Sequence, residues 1–110
     1  MKFFLYTPKF LNRIGYAGMA LFPFILYENP KLKTNKTFVN HETIHLKQQA
    51  EMLILPFYIV YLSNYAFNYL KYKDHDTAYR NICFEREAYT NEKNLDYLKK
   101  RSFWAWLNYL

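Results

Sequence analysis

A chain of 110 residues with 52% hydrophobic and 22% aromatic side chains has room for one domain, 1–110, and none for a separate substrate or regulatory domain. Its net charge of +6 invites a nucleic-acid partner, but the cations are scattered behind predicted turns and helix ends, with no recognition-helix, zinc-finger or stacking-sheet pattern, so nucleic-acid binding is not expected. The single cysteine, Cys83, excludes an internal disulfide framework and a cysteine-based zinc site.

The chain turns apolar directly after Met1-Lys2, but Pro8, Lys9 and Arg13 interrupt the run and no small-residue cleavage site follows. The expectation is a protein without a secretory signal, in the cytoplasm or peripheral to the inner face of a membrane. Residues 19–27 (MALFPFILY) read as a short strand, which Pro23 confines to an edge or a bulge. Glu28-Asn29-Pro30 is a turn, followed by a polar connector over 31–36.

A helix then opens at Asn35 or Thr37, either a suitable N-cap, and runs to about Leu55, where Pro56 ends or kinks it. Residues 57–72 form a second helix, apolar nearly all round and therefore central or lipid-facing. The longest apolar run, 52–62, contains Pro56 and falls short of a membrane span, which suits a buried or membrane-apposed helix. After a polar hinge at 73–76, with Asp76 as N-cap, a third helix is predicted from Thr77 to about Lys100. Ser102 caps a last short helix over 103–110, whose aromatics pack back on the core. The expected fold is α+β, mostly α, with a short edge strand or strand pair and three main helices.

The informative segment is His41-Glu42-Thr43-Ile44-His45, an H-E-x-x-H pattern inside the first of these helices. Histidines four apart share one helix face, so both rings reach one cation, and the glutamate between them is placed to handle the proton of a water. A hydrolytic zinc takes three protein ligands, so a third is needed from elsewhere. The candidates are Glu85 and Glu87 on the third helix. Glu85 shares its side with Ala78, Ile82, Ala88 and Tyr89, an inward stripe, and a buried carboxylate needs a cation. Glu87 shares a more polar side with Arg80, Cys83 and Asn91 and is the alternative ligand. Without a metal, the two histidines would be helix-surface or capping residues, and Glu85 and Glu87 would belong to a solvated face with Arg80 and Arg86.

With these motifs the chain resembles the gluzincin metallopeptidases, in which an H-E-x-x-H helix is followed by a helix bearing a glutamate ligand. The prenyl-protein CAAX peptidases and the BlaR-type sensor peptidases carry E-x-x-A-D there, and Glu85-Arg86-Glu87-Ala88-Tyr89 matches all but the last position. Gln48 stands where BlaR-type peptidases tend to have a glutamine. The resemblance covers residues 19–92. It implies a minimal zincin-like domain, Zn2+ on His41, His45 and Glu85, a strand before the active helix, and a peptide or protein substrate. Tyr89 is the departure, because those families place there an aspartate that buttresses a ligand histidine. Glu92, Asn40 or a backbone carbonyl is the expected substitute.

On this reading Glu42 is the general base. His75, Tyr89 and Arg80 are candidates to stabilise the oxyanion, and the 19–27 strand holds an extended substrate by main-chain pairing. The competing expectation is a non-catalytic module of the same fold that binds a partner protein or a membrane surface.

Overall fold

The computed structural model describes residues 3–110. It is α+β and mostly helical, as the patterning predicts. β1 (Phe3–Tyr6) leads into α1 (Pro8–Ile14), which opens on a proline whose missing N–H is not needed in a first turn. β2 (Gly18–Leu21) and β3 (Phe24–Tyr27) pair antiparallel around Phe22-Pro23, and β3 also pairs parallel with β1, giving the order β1-β3-β2.

The single strand expected over 19–27 is therefore a hairpin. Pro23 cannot donate to a ladder, so it occupies the turn and leaves both arms free to pair. β1 has no counterpart in the sequence reading. β2 is an edge strand, and its outer side is stitched to the two long helices that follow the sheet. Ala20 O accepts from Gln49 Nε2 (2.9 Å) and Tyr58 OH (3.1 Å), while Phe22 N donates to Gln49 Oε1. Gly18 is required by this approach, because a Cβ there would lie 2.2 Å from the Phe38 ring.

α2 (Lys36–Met52) is capped by Asn35, whose side chain accepts from Phe38 N; Thr37 lies inside the helix. Its end is set by Pro56, whose ring would clash with the carbonyl of residue 52 if the helix continued. Leu53 turns to φ 66°, and α3 (Ile54–Tyr72) leaves at 112° to α2 with Pro56 inside its first turn. Among the described residues no single helix is long and apolar enough to cross a membrane; this bent pair passes only by length and composition.

The third helix is where sequence and structure part. In place of one helix from 77 to 100 there are α4 (His75–Arg80), α5 (Cys83–Asn91) and α6 (Tyr97–Lys100). Asp74, not Asp76, caps α4 by accepting from Thr77 N. Partners from other helices satisfy the ends of α5. Asn64 Oδ1 of α3 accepts from Cys83 N, and Asn40 Nδ2 of α2 donates to the carbonyls of Asn91, Glu92 and Asn94. A helix end loses little when its orphan groups find such partners.

A 3-10 turn (Ala105–Tyr109) closes the described chain. Ser102 contributes its carbonyl, to Ala105 N, and the residue at the turn's N-cap is Trp104. The segment packs inward only in part: Trp106 joins Phe57, Ile82, Cys83 and Phe84 in the main apolar cluster, while Phe103 stays exposed. Ala20, Ile25 and Leu46 form a second cluster beneath the sheet. Each large side chain so buried contributes about 1.5–3 kcal/mol. Against this norm α2 is unusual, since six of its eight buried residues are polar: Asn40, His41, Glu42, His45, Gln48 and Gln49.

Candidate metal centre

Burial of polar groups on that scale needs partners, and each ring of the motif has one at Nδ1. His41 Nδ1 lies 2.8 Å from Glu92 Oε1, and His45 Nδ1 lies 2.8 Å from Gln48 Oε1. The Gln48 amide is oriented by its other end, where Nε2 donates to Phe84 O (3.1 Å) and Glu87 Oε1 (2.9 Å), both acceptors. Its oxygen must then face His45. Both Nδ1 atoms are thus assigned as donors, which leaves each Nε2 with a free lone pair.

Those two lone pairs converge. His41 Nε2 and His45 Nε2 are 3.2 Å apart, and Glu85 Oε1 is 3.3 Å from the first and 3.1 Å from the second. Three acceptors packed together repel one another unless a proton or cation lies among them. The spacing also fits a metal, since donors about 2.0–2.1 Å from one tetrahedral centre stand about 3.3 Å apart. All three residues are buried, and as a set they could hold a metal ion.

Glu85 rather than Glu87 is brought to the histidines, and its second oxygen accepts from Tyr61 OH at 2.7 Å. Burial would push the Glu85 carboxyl up, but His45 and His41 more than offset it and hold the group well below the usual range. Glu87 is not solvated as its predicted face implied. It is fully buried, and both oxygens are occupied, Oε1 by Gln48 and Arg101 and Oε2 by Tyr97 and Arg101. The helix break at Asn81-Ile82 changes the facing of the segment, which face-counting on a continuous helix could not register.

Glu42 is buried beside the trio, and no hydrogen bond to its carboxyl is found among the described residues. Burial pushes its carboxyl up, against the pull of His45 and His41. It lines two cavities at once. One, of about 590 Å³, also takes in His41, His75, Tyr79, Arg80, Tyr89 and Glu92. The other, of about 230 Å³, is walled by Met19, Phe57, Tyr58, Tyr61 and Leu62 and reaches His45 and Glu85.

The remaining sequence candidates take distinct positions. Glu92 is the carboxylate at His41 Nδ1, and Asn40 pins the backbone that carries it. Tyr89 makes no such bond; its ring stands edge-on to His41 with centroids 4.6 Å apart and the Arg80 guanidinium 4.7 Å above it. His75 is exposed, pairs through Nδ1 with Tyr65 OH, and contacts none of the three converging donors. Tyr61, Tyr16 and Tyr79 escaped the sequence reading. A signal existed, because Tyr58, Tyr61 and Tyr65 share the α3 face that carries Phe57, and inward phenols need partners.

Compared with known proteins, the chain matches no protein family, no curated protein and no solved structure.

Proposed function

We propose that this chain is a small zinc-dependent metallopeptidase of the gluzincin type. One observation carries the reading: two imidazole lone pairs and one carboxylate oxygen meet at 3.1–3.3 Å, with an unengaged, buried glutamate beside them in the same motif. The nitrogen and oxygen donor set suits Zn2+, with His41, His45 and Glu85 as the residues that would hold it. When bound there, zinc supplies Lewis acidity, lowering the pKa of a water to about 7 and polarising a carbonyl.

The chain supplies the remainder. Glu42, free of other partners among the described residues and raised by burial, takes the proton of the attacking water and returns it to the leaving amine. Glu92 and Gln48 hold the ligand rings in one tautomer. Tyr16 and Tyr79 line both cavities with Glu42, and they join His75, Arg80 and Tyr89 as donors available to the oxyanion. The edge of β2 runs past the cavities at Gly18, and that end is what remains for pairing with an extended peptide, because Gln49 and Tyr58 occupy the Ala20 carbonyl and Gln49 the Phe22 N–H.

The test is metal content followed by hydrolysis. Protein purified without a metal-affinity resin should carry about one zinc per chain. It should cleave an unfolded polypeptide at a rate that Glu42→Gln lowers about 10²–10⁴-fold with the zinc retained. A Glu42→Gln protein that keeps both zinc and full rate removes the mechanism.

A second reading, a non-catalytic module apposed to a membrane, is favoured by one feature. α3 buries only Phe57 and Asn68 and leaves Leu55, Ile59, Leu62, Ala66 and Leu70 exposed at helical spacing. A continuous apolar stripe of this kind suits a lipid surface.

A further inference from the structure

Behind Gln48 the polar chain continues into a part of the molecule with no contact to the histidines. Glu87 and Glu51 approach Arg101 from opposite sides. Glu87 Oε1 accepts from Arg101 Nη2 at 3.1 Å and its Oε2 accepts from Arg101 Nε. Glu51 accepts from Nη1 at 2.6 Å and from Nη2 at 3.1 Å. Side-chain exposure is 0% for Arg101, 0% for Glu87 and 2% for Glu51. Glu51 also accepts from Trp104 N, and Tyr97 OH donates to Glu87 at 2.6 Å. One guanidinium thus holds two buried carboxylates on separate helices, and its planar fork serves both.

The consequence lies at the other end. Gln48 can face either way by shape alone, since its oxygen and nitrogen are nearly equal in size. Reversed, its NH₂ would meet His45 Nδ1, whose hydrogen would then move to Nε2, the atom turned toward Glu85. Two acceptors prevent the reversal: the Phe84 carbonyl and Glu87 Oε1. The first is fixed by the backbone. The second stays charged and in place because Arg101 and Tyr97 hold it.

We infer that Arg101 is a positioning residue for the metal centre, acting through Glu87 and Gln48 to keep the Nε2 lone pair of His45 directed at the cation. The inference rests on the metal-binding part of the proposed function and is independent of whether hydrolysis occurs. It gives the segment after α6 a role in the centre, although Arg101 stands 56 positions from His45 in sequence.

The test is zinc affinity of chelator-stripped protein, measured by competition with a chromophoric chelator, with thermal unfolding as the check on folding. Gln48→Met should weaken zinc about 10–100-fold, the usual cost of losing an outer partner of a ligand histidine. Arg101→Lys keeps the charge and loses the fork; it should weaken zinc by more than about 2-fold and up to about 10-fold. The double variant should bind no worse than Gln48→Met within about 2-fold, because both changes break one chain.

Long-range proton–nitrogen spectra of the histidines should place hydrogen on Nδ1 of His45 in the zinc-loaded wild type. Should Arg101→Lys fail to fold, Glu87→Gln keeps the shape without the charge and enters the same comparison.

The inference is overturned by a folded Arg101→Lys, or the Glu87→Gln replacement, that binds zinc within about 2-fold of wild type. It is equally overturned if the two effects multiply in full. A wild type that binds zinc and hydrolyses nothing leaves it standing. One that binds no zinc overturns the metal centre together with it.

Discussion

Tyr61 OH donates to Glu85 Oε2 across 2.7 Å, and this bond leaves Oε1 as the oxygen offered to His41 and His45. Anchored by Tyr61 at one oxygen, the carboxylate keeps the other facing the two rings with or without a cation. The phenol on α3 therefore preorganises the carboxylate on α5 for donors on α2, and three helices define one point in space.

Loss of Tyr61 should be felt at the metal without loss of a ligand. Tyr61→Phe is expected to weaken zinc about 10–100-fold, and Glu85→Gln should weaken it further still. Chelator competition measures both. Equal affinity in Tyr61→Phe and wild type would separate the phenol from the centre.

The response to pH has opposite signs with and without metal. Burial alone would lower the pKa of His45, but Glu85, with Glu42 and Gln48, reverses the balance and raises it from 6.5 to about 9 in the metal-free chain. Over that window the folded chain holds a proton that the unfolded chain has released. The stability due to His45 is therefore complete below pH 6.5 and lost as pH rises through about 9. A cation competes for the same Nε2, so zinc affinity should rise over the same interval. Unfolding temperatures of stripped and zinc-loaded protein across this range should slope in opposite directions; parallel slopes would contradict the assignment.

Arg101→Ala should destabilise the fold by about 3–5 kcal/mol, the cost of leaving buried carboxylates without their cation. Acid should act on the same place. Burial pushes the Glu87 carboxyl up, but hydrogen bonds from Arg101, Tyr97 and Gln48 hold it below its ordinary 4.5. Its contribution is present above 4.5 and is lost as pH falls through the lower, folded value. Denaturant titrations at neutral and acid pH should show the Arg101→Ala penalty shrinking in acid. A penalty independent of pH would assign the loss to packing instead.

The outer face of α3 is predicted to serve binding and not folding. Leu55, Leu62 and Leu70 are 71%, 61% and 76% exposed, so replacing each with serine should change stability by no more than about 0.5 kcal/mol. Co-sedimentation with anionic phospholipid vesicles is the measurement. Wild type should sediment and the triple serine variant should not; wild type left in the supernatant would refute the membrane-apposed reading.

Some features were legible because they are local. The four-residue spacing of His41 and His45 depends only on helix geometry, Asn35 announces a helix start, and Pro56 announces a break, although α2 ends at Met52 and not at the expected Leu55. The hairpin was half visible: residues 19–27 have strand composition, but only the pairing of β3 with β2 on one side and β1 on the other shows that Pro23 divides two strands. The third helix was misread because Thr77 to Lys100 carries no proline or glycine to stop it. Its breaks depend on Asn64 and Asn40, whose amides arrive from α3 and α2.

The same division runs through the site. Sequence by itself determined that two imidazoles and a glutamate share one turn-and-a-bit of helix, because i and i+4 coincide on any α-helix. It also narrowed the third donor to one short acidic segment. Only the tertiary structure decided that Glu85 meets the rings while Glu87 is bound by Arg101, that Glu92 takes the position opposite His41, and that Tyr61 reaches Glu85. These are contacts between segments 14–51 residues apart, set by how helices cross and by which buried polar groups must be satisfied.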